Sequence, residues 1–298
     1  TKTLAHLLRH DTVYGPYEKD VTFDEKNLIV AGKTIPVFAE KDPARLPWGK
    51  LKVDIVLECT GRFTTAETAS AHLKAGAKRV IISAPAKGPD VPTHVMGVNA
   101  KNAGKKQPII SNASCTTNCI APIAAVLEEV FGIKKAMMTT VHSYTASQVL
   151  QDAPAKDLRE ARAAAENIVP TTTGAAIATG LVIPALQGIF DGLSVRVPTP
   201  VVSLADFTLV LKKRVTVEQV NEAFKSAAKQ AHWQGILEVT DEPLVSSDFI
   251  GNPASAIVDL SLTRVVDGDL IKVVAWYDNE WGYSNRLAEL ALEVGRCL

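Results

Sequence analysis

Four cysteines in 298 residues, Cys59, Cys115, Cys119 and Cys297, are too few to knit a disulfide framework. Free thiols in a reducing compartment are expected instead, with the cytoplasm as the localisation. An excess charge of one sign is also lacking, since 32 Lys and Arg stand against 32 Asp and Glu. No global field draws in nucleic acid or an anionic membrane, so any phosphate binding must rest on local groups. Long apolar runs are missing too. The uncharged apolar segment Gly174 to Phe190 holds Gly180 and Pro184 and falls short of the ~20 residues that a spanning helix needs. It is expected as a buried helix and loop. Arg9, His10 and Asp11 break the one early apolar stretch, so no signal peptide is read there. Neither an internal repeat nor a Gly-x-Gly-x-x-Gly turn occurs in the chain. Core material is ample, because apolar side chains make up 47% of the residues, enough for two domains.

The most chemically loaded segment is Ser111-Asn112-Ala113-Ser114-Cys115-Thr116-Thr117-Asn118-Cys119, a polar turn between the apolar strand Pro108 to Ile110 and an apolar helical run, Ile120 to Phe131. A thiol at a helix N-terminus faces unpaired N–H groups and the positive end of the macrodipole, which favour the thiolate and lower its pKa. The bland alternative is a small buried cysteine capped by hydroxyls. Lengths argue against it. A helix from Thr116 to Phe131 is roughly 24 Å long at ~1.5 Å per residue, and Gly132 supplies its stop. The strand that follows, Ile133 to His142, covers about 30 Å at ~3.3 Å per residue. Reversal at Gly132 therefore brings His142 back to Cys115, and a neighbouring imidazole both activates a thiol and moves protons.

Around this pair the pattern divides. Val53 to Cys59, a helix from Thr65 to Ala75 closed by Gly76, and Arg79 to Ser83 read as a βαβ unit of a covered parallel sheet, with short strands at His94–Val98 and Pro108–Ile110. Beyond the cysteine helix, Leu204–Leu211, Ala256–Val265 and Leu270–Trp276 alternate as antiparallel strands, the last two joined by the hairpin turn Asp267-Gly268-Asp269. Val217–His232 and Ser284–Arg296 read as helices. The run Lys156 to Arg162 reads by default as a solvated surface helix.

Five motifs in order carry a family resemblance. Ser111 to Cys119, Thr140-Val141-His142-Ser143-Tyr144-Thr145, Pro170-Thr171-Thr172-Thr173-Gly174-Ala175-Ala176, Val195-Arg196-Val197-Pro198-Thr199-Pro200 and Trp276 to Ser284 resemble phosphorylating glyceraldehyde-3-phosphate dehydrogenases, from about Thr3 to the C-terminus. The resemblance implies an α/β Rossmann-type dinucleotide-binding domain, residues 1–114 and 282–298, and an α+β catalytic domain with a large mixed or antiparallel sheet, residues 115–281. It implies that the final helix packs back on the first domain. It also implies that roughly 35 residues, one strand, the pyrophosphate-binding turn, a helix and the next strand, are absent ahead of Thr1.

The implied activity is oxidation and phosphorylation of glyceraldehyde 3-phosphate, with Cys115 as nucleophile and His142 as general base. Arg196 and Thr145 resemble the contacts to the substrate phosphate. Ser114, Thr116, Thr173, Gly174 and Arg162 resemble those to the attacking inorganic phosphate, although Thr171 to Gly174 also reads as a helix cap. For the cofactor, Asn279 resembles the contact to the nicotinamide amide, joined by Lys41, Thr60, Gly61 and Ser83. Cys119, Cys59 and Cys297 read as structural. The stretch from Tyr144 to Asn167 resembles a long loop near the cofactor of a neighbouring subunit, which implies a homotetramer. Ala153 departs from the leucine of NAD-specific members and Pro154 from the serine of members accepting NADP, so NAD is expected with NADP possible. Three other readings compete: an erythrose-4-phosphate dehydrogenase, which His142 to Thr145 and Thr171 to Ala176 disfavour; a catalytically silent oligomeric scaffold; and a cysteine hydrolase.

Overall fold

A computed structural model describes residues 1–101 and 103–298. The chain opens with α1 (Lys2–Arg9) and a minimal hairpin of β1 (His10–Asp11) and β2 (Gly15–Pro16). An antiparallel sheet follows, built from β3 (Val21–Phe23), β4 (Asn27–Val30) and β5 (Lys33–Pro36). Sequence patterning gave no sign of it. Its second turn is the pair Ala31 and Gly32, both at positive φ (48° and 75°), the geometry that suits the twist of a two-residue hairpin.

The βαβ unit forms as expected. β6 (Ile55–Glu58), β7 (Arg79–Ile82) and β8 (Ile109–Ser111) make a parallel sheet in that order, with α2 (Ala66–Lys74) as the first crossover. Thr65 and Thr68 close a reciprocal capping box at the start of α2. The strand expected at His94–Val98 does not form beyond a single bridge from Thr93 to Ser111. The Asn99 amide accepts from Val95 N–H and donates to the Thr93 carbonyl, and this local bonding outcompetes a ladder.

The second half begins with α3 (Cys115–Val130), β9 (Ile133–Ser143), β10 (Val169–Thr172), α4 (Ala175–Val182) and β11 (Phe190–Val197). It continues through β12 (Ser203–Leu211), α5 (Val217–Ala228), β13 (Leu237–Thr240), β14 (Ala256–Asp259), β15 (Arg264–Val266), β16 (Leu270–Tyr277) and α6 (Trp281–Gly295). One mixed sheet runs β10-β11-β9-β12-β16-β14-β13, with β15 paired to β16 across the expected hairpin. Ile120, Ile123 and Leu127 of α3 and Val220 and Phe224 of α5 meet Met138, Phe207, Leu209 and Val273 of the sheet in one apolar core.

Three local expectations need correction. Ala256–Val265 is not one strand, because Asp259 accepts from the Ser261 N–H and hydroxyl and turns the chain into a short 3-10 helix. Lys156 to Arg162 is turn and loop rather than helix, tied by Asp157 to the Arg159 N–H and by a bridge between Val149 and Ala163. The uncharged segment from Gly174 is only partly buried: α4 leaves Ile177 and Leu181 exposed. α6 returns the chain to the parallel sheet, where Leu287, Leu290 and Val294 pack on Ile81 and Ile110.

Candidate active site

Ser114 caps α3, its hydroxyl accepting from the Thr117 N–H at 3.1 Å, so Cys115 is the first residue of the helix. At the far end Gly132 takes φ 70° and its N–H reaches back to Leu127 and Glu128. β9 then runs the length of the helix, and Cys115 Sγ lies 3.5 Å from His142 Nε2. The convergence expected from lengths is what the fold delivers.

β11 lies parallel to β9 with Arg196 directly opposite His142. Arg196 Nη1 stands 2.6 Å from His142 Nδ1 and 3.1 Å from the Ser143 carbonyl, which itself lies 2.8 Å from Nδ1. The imidazole sits edge-on to Tyr277, and the Tyr277 hydroxyl bonds to those of Thr116 (3.0 Å) and Thr140 (2.9 Å). Thr116 is thereby turned into the protein. Asn279 is nearly buried, and its Oδ1 accepts from the Ser143 and Ser203 hydroxyls at 3.2 and 3.0 Å. Among the described residues its Nδ2 has no hydrogen-bond partner.

Electrostatics differ from the expectation of a low thiol pKa. Burial pushes the Cys115 thiol up from its ordinary value, and the opposing pull of Thr116 and of the Arg196 charge does not offset it. Burial also lowers His142, and the Arg196 charge adds to this, bringing it to about 4 against the weaker pull of the Ser143 carbonyl. Both shifts favour the uncharged form of the group concerned. Cys119 is buried one turn further along α3, and burial pushes its thiol well above the ordinary value.

The remaining sequence-derived candidates are more dispersed. Thr173 and Gly174 cap α4, with the Thr173 hydroxyl accepting from the Ala175 N–H at 3.2 Å. The Thr145 hydroxyl is exposed and bonds Ser147 at 3.0 Å. Arg162 is exposed and its Nε donates to Asp152 at 2.7 Å; among the described residues it makes no hydrogen bond to Cys115, His142 or the threonines. Lys41 is exposed. Thr60 and Gly61 follow the end of β6, and the Ser83 N–H donates to the Glu58 carbonyl at 3.0 Å. Cys59, expected as a structural thiol, is exposed.

Sequence reasoning missed a polar clamp beneath that turn. Glu58 and His72 are both buried, with His72 Nε2 2.8 Å from Glu58 Oε2. Trp48 Nε1 donates to His72 Nδ1 at 3.1 Å, and the Thr60 N–H and hydroxyl both donate to Glu58 Oε1. The available signal was an acid inside the apolar run Ile55-Val56-Leu57-Glu58. Among the described residues no cluster of His, Cys, Asp and Glu could hold a metal ion, and no helix is long and apolar enough to cross a membrane.

Comparison with known proteins adds family models and relatives. The model of the glyceraldehyde 3-phosphate dehydrogenase C-terminal domain matches residues 114–279, and that of the glyceraldehyde 3-phosphate dehydrogenase NAD binding domain matches residues 1–66. The glyceraldehyde-3-phosphate dehydrogenase of Geobacillus stearothermophilus is 57% identical over 290 residues, 97% of this chain and 86% of that one. Glyceraldehyde-3-phosphate dehydrogenase 2 of Streptomyces avermitilis is 53% identical over 299 residues, covering 100% of this chain and 89% of the relative. Glyceraldehyde-3-phosphate dehydrogenase 1 of Bacillus subtilis is 55% identical over 294 residues, 98% and 87% respectively.

Proposed function

The chain belongs to the glyceraldehyde-3-phosphate dehydrogenase family, and on that premise we propose that it oxidises and phosphorylates glyceraldehyde 3-phosphate to 1,3-bisphosphoglycerate through a thioester on Cys115. The observation that carries this reading is the 3.5 Å approach of Cys115 Sγ to His142 Nε2 at the start of a helix. Sulfur bonds to the aldehyde carbon, and the oxygen that gains charge lies beside the Cys115 N–H and the His142 ring. His142 Nε2 takes the hydroxyl proton as the carbon gives up its hydride. An oxygen of inorganic phosphate then bonds to the thioester carbon, the C–S bond breaks, and the Cys115 thiolate is regenerated.

The residues present fit part of a dinucleotide. Gly61 has φ 70° and open space where a Cβ would stand, which leaves room for a ligand against the backbone. Asn279, with Oδ1 engaged by two hydroxyls, keeps Nδ2 for a carboxamide oxygen. Asn279 would hold the nicotinamide end, and Thr60, Gly61, Ser83 and Lys41 the adenosine side. NAD, when bound, supplies the hydride acceptor.

For the substrate phosphate the donors are Arg196 and Thr145. For the attacking phosphate, Ser114, Thr173 and Gly174 are the better supported, because they lie at helix starts where anions are favoured. Thr116 and Arg162 would first have to leave Tyr277 and Asp152. Residues 1–114 with 282–298 form the cofactor-binding domain in this reading, and 115–281 the catalytic one. Exposed Met137, Leu193, Leu158 and Ile168 support assembly of copies into a cytoplasmic homotetramer.

The test is formation of reduced nicotinamide from glyceraldehyde 3-phosphate and NAD, with and without inorganic phosphate. Intact-mass detection of an acyl adduct on Cys115 complements it. Phosphate-dependent turnover is expected. A preference for the four-carbon aldehyde, or turnover indifferent to phosphate, overturns the reading.

A further inference from the structure

The turn that carries Thr60 and Gly61 stands on a line of hydrogen bonds with only one possible direction. Trp48 Nε1 can only donate, so His72 Nδ1, 3.1 Å away, must accept and carries no proton. The ring proton therefore sits on Nε2 and is given to Glu58 Oε2 at 2.8 Å. The other carboxyl oxygen, Oε1, accepts from the Thr60 N–H at 2.8 Å and from the Thr60 hydroxyl. Neither oxygen of Glu58 is left to carry a proton of its own. Thr60 Oγ1 in turn accepts from the Arg62 N–H at 3.2 Å, which curls the chain around Gly61.

Three places in the chain deliver these groups. β6 ends in Glu58, α2 carries His72, and Trp48 comes from the turn ahead of β6. That turn is pressed on the end of α2: the Gly49 N–H donates to the Ala75 carbonyl at 2.9 Å, and a Cβ on Gly76 would stand 2.5 Å from Gly49. The Trp48 and His72 rings lie 27° from coplanar, with Phe38 edge-on to Trp48 and Phe63 edge-on to His72. Glu58 and His72 are 3% and 4% exposed, so the pair is closed to solvent. At the outer end Thr60 has spent its one hydroxyl proton on Glu58. Among the described residues the Gly61 N–H makes no hydrogen bond, and open space stands where a Cβ would be.

We propose that Glu58, His72 and Trp48 are positioning residues for the dinucleotide: they lock the Thr60–Gly61 turn so that a ligand oxygen is met by the free Gly61 N–H, while the Thr60 hydroxyl serves the ligand only as an acceptor. This rests on the reading of Thr60 and Gly61 as cofactor contacts given above. The isosteric Glu58→Gln cannot keep the line, because its NH2 group opposes either the His72 Nε2–H or the Thr60 N–H. His72→Gln can keep it, since one planar amide offers a donor to Glu58 and an acceptor to Trp48. His72→Leu offers neither.

The experiment titrates NAD into the whole chain and its variants by calorimetry, at a temperature where each is folded. The dissociation constants of Glu58→Gln and His72→Leu are expected to rise at least about tenfold, the effect of a stranded buried polar group, and that of His72→Gln to stay within about threefold of the unsubstituted chain. In turnover the loss falls on KM for NAD far more than on kcat. A role in stability alone would lower the melting temperature of the variants and leave the affinity of the folded protein unmoved. Nitrogen NMR of the unsubstituted, ligand-free protein supplies a reading that needs neither NAD nor a variant: the His72 ring proton is expected on Nε2. A proton on Nδ1, an affinity untouched by Glu58→Gln and His72→Leu, or a His72→Gln variant as weak as His72→Leu overturns the proposal. An unsubstituted chain that binds no NAD overturns the cofactor reading and the proposal with it, whereas normal binding with unmoved variants overturns the proposal alone.

Discussion

β9 and β6 each end beside a candidate site, yet they are held in different ways. β9 is bonded on both sides, to β11 and β12, and its inner face lies under α3 in a core that includes Met138 and Phe207. β6 is an edge strand bonded only to β7, and its Leu57 is exposed. The catalytic pair therefore rests on apolar packing, where each fully buried large side chain contributes about 1.5–3 kcal/mol. The turn after β6 rests on polar bonding, through Glu58, His72, Trp48 and Thr60. Packing fixes positions without reference to ionisation, whereas a polar clamp depends on every one of its members being satisfied.

Phe207→Ala should produce the largest effect, a loss of about 3–5 kcal/mol in urea unfolding, while Leu57→Ala on the exposed edge should cost less than about 1 kcal/mol. Equal costs would erase the contrast between the two regions. His72→Ala strands the buried Glu58 carboxyl and should cost about 2–3 kcal/mol. It should also speed amide exchange at Thr60 and leave that of β9 unchanged. Faster exchange at β9 would show that the clamp serves the whole molecule.

A third test uses pH. His142 is held at about 4 in the folded chain, below its ordinary value near ~6.5. The unfolded chain thus takes up the proton first as pH falls, and the stability present above the ordinary value is lost on the way down to the folded one. Between neutral pH and pH ~5 the loss is about 2 kcal/mol. It should disappear in His142→Asn when melting is followed against pH; an unchanged pH dependence in that variant would contradict the assignment. Smallest is Tyr277→Phe, which leaves Thr116 and Thr140 without their shared partner and should cost about 1–2 kcal/mol by denaturant titration.

Much of the first region was legible because α2, β6 and β7 carry local signals: a threonine cap, a glycine stop and short apolar runs. The Cys115 and His142 pairing was legible because a single glycine reversal makes it a matter of length. The antiparallel sheet of β3, β4 and β5 was not, because its turns depend on an alanine at positive φ and an Asp24 side chain that accepts from Lys26 and Asn27. Nor was the contact between Arg196 and His142. It arises from parallel pairing of strands far apart in the chain, which no local pattern encodes. The rise in the Cys115 pKa was missed for a related reason: helix position is visible in sequence, but burial by Tyr277 and the sheet is not.

The pairing of β11 with β9 has a consequence for how the protein can be altered. Arg196 faces His142 because of ladder register, and a slip of one residue would turn it to the other face of the sheet. Within the connection between the two strands, β10 holds β11 from its other side, with Val169 opposite Arg196. The loop ahead of β10, exposed at Ala153 and Pro154, is accordingly a graft point, where an inserted peptide or fused reporter should leave that pairing in place.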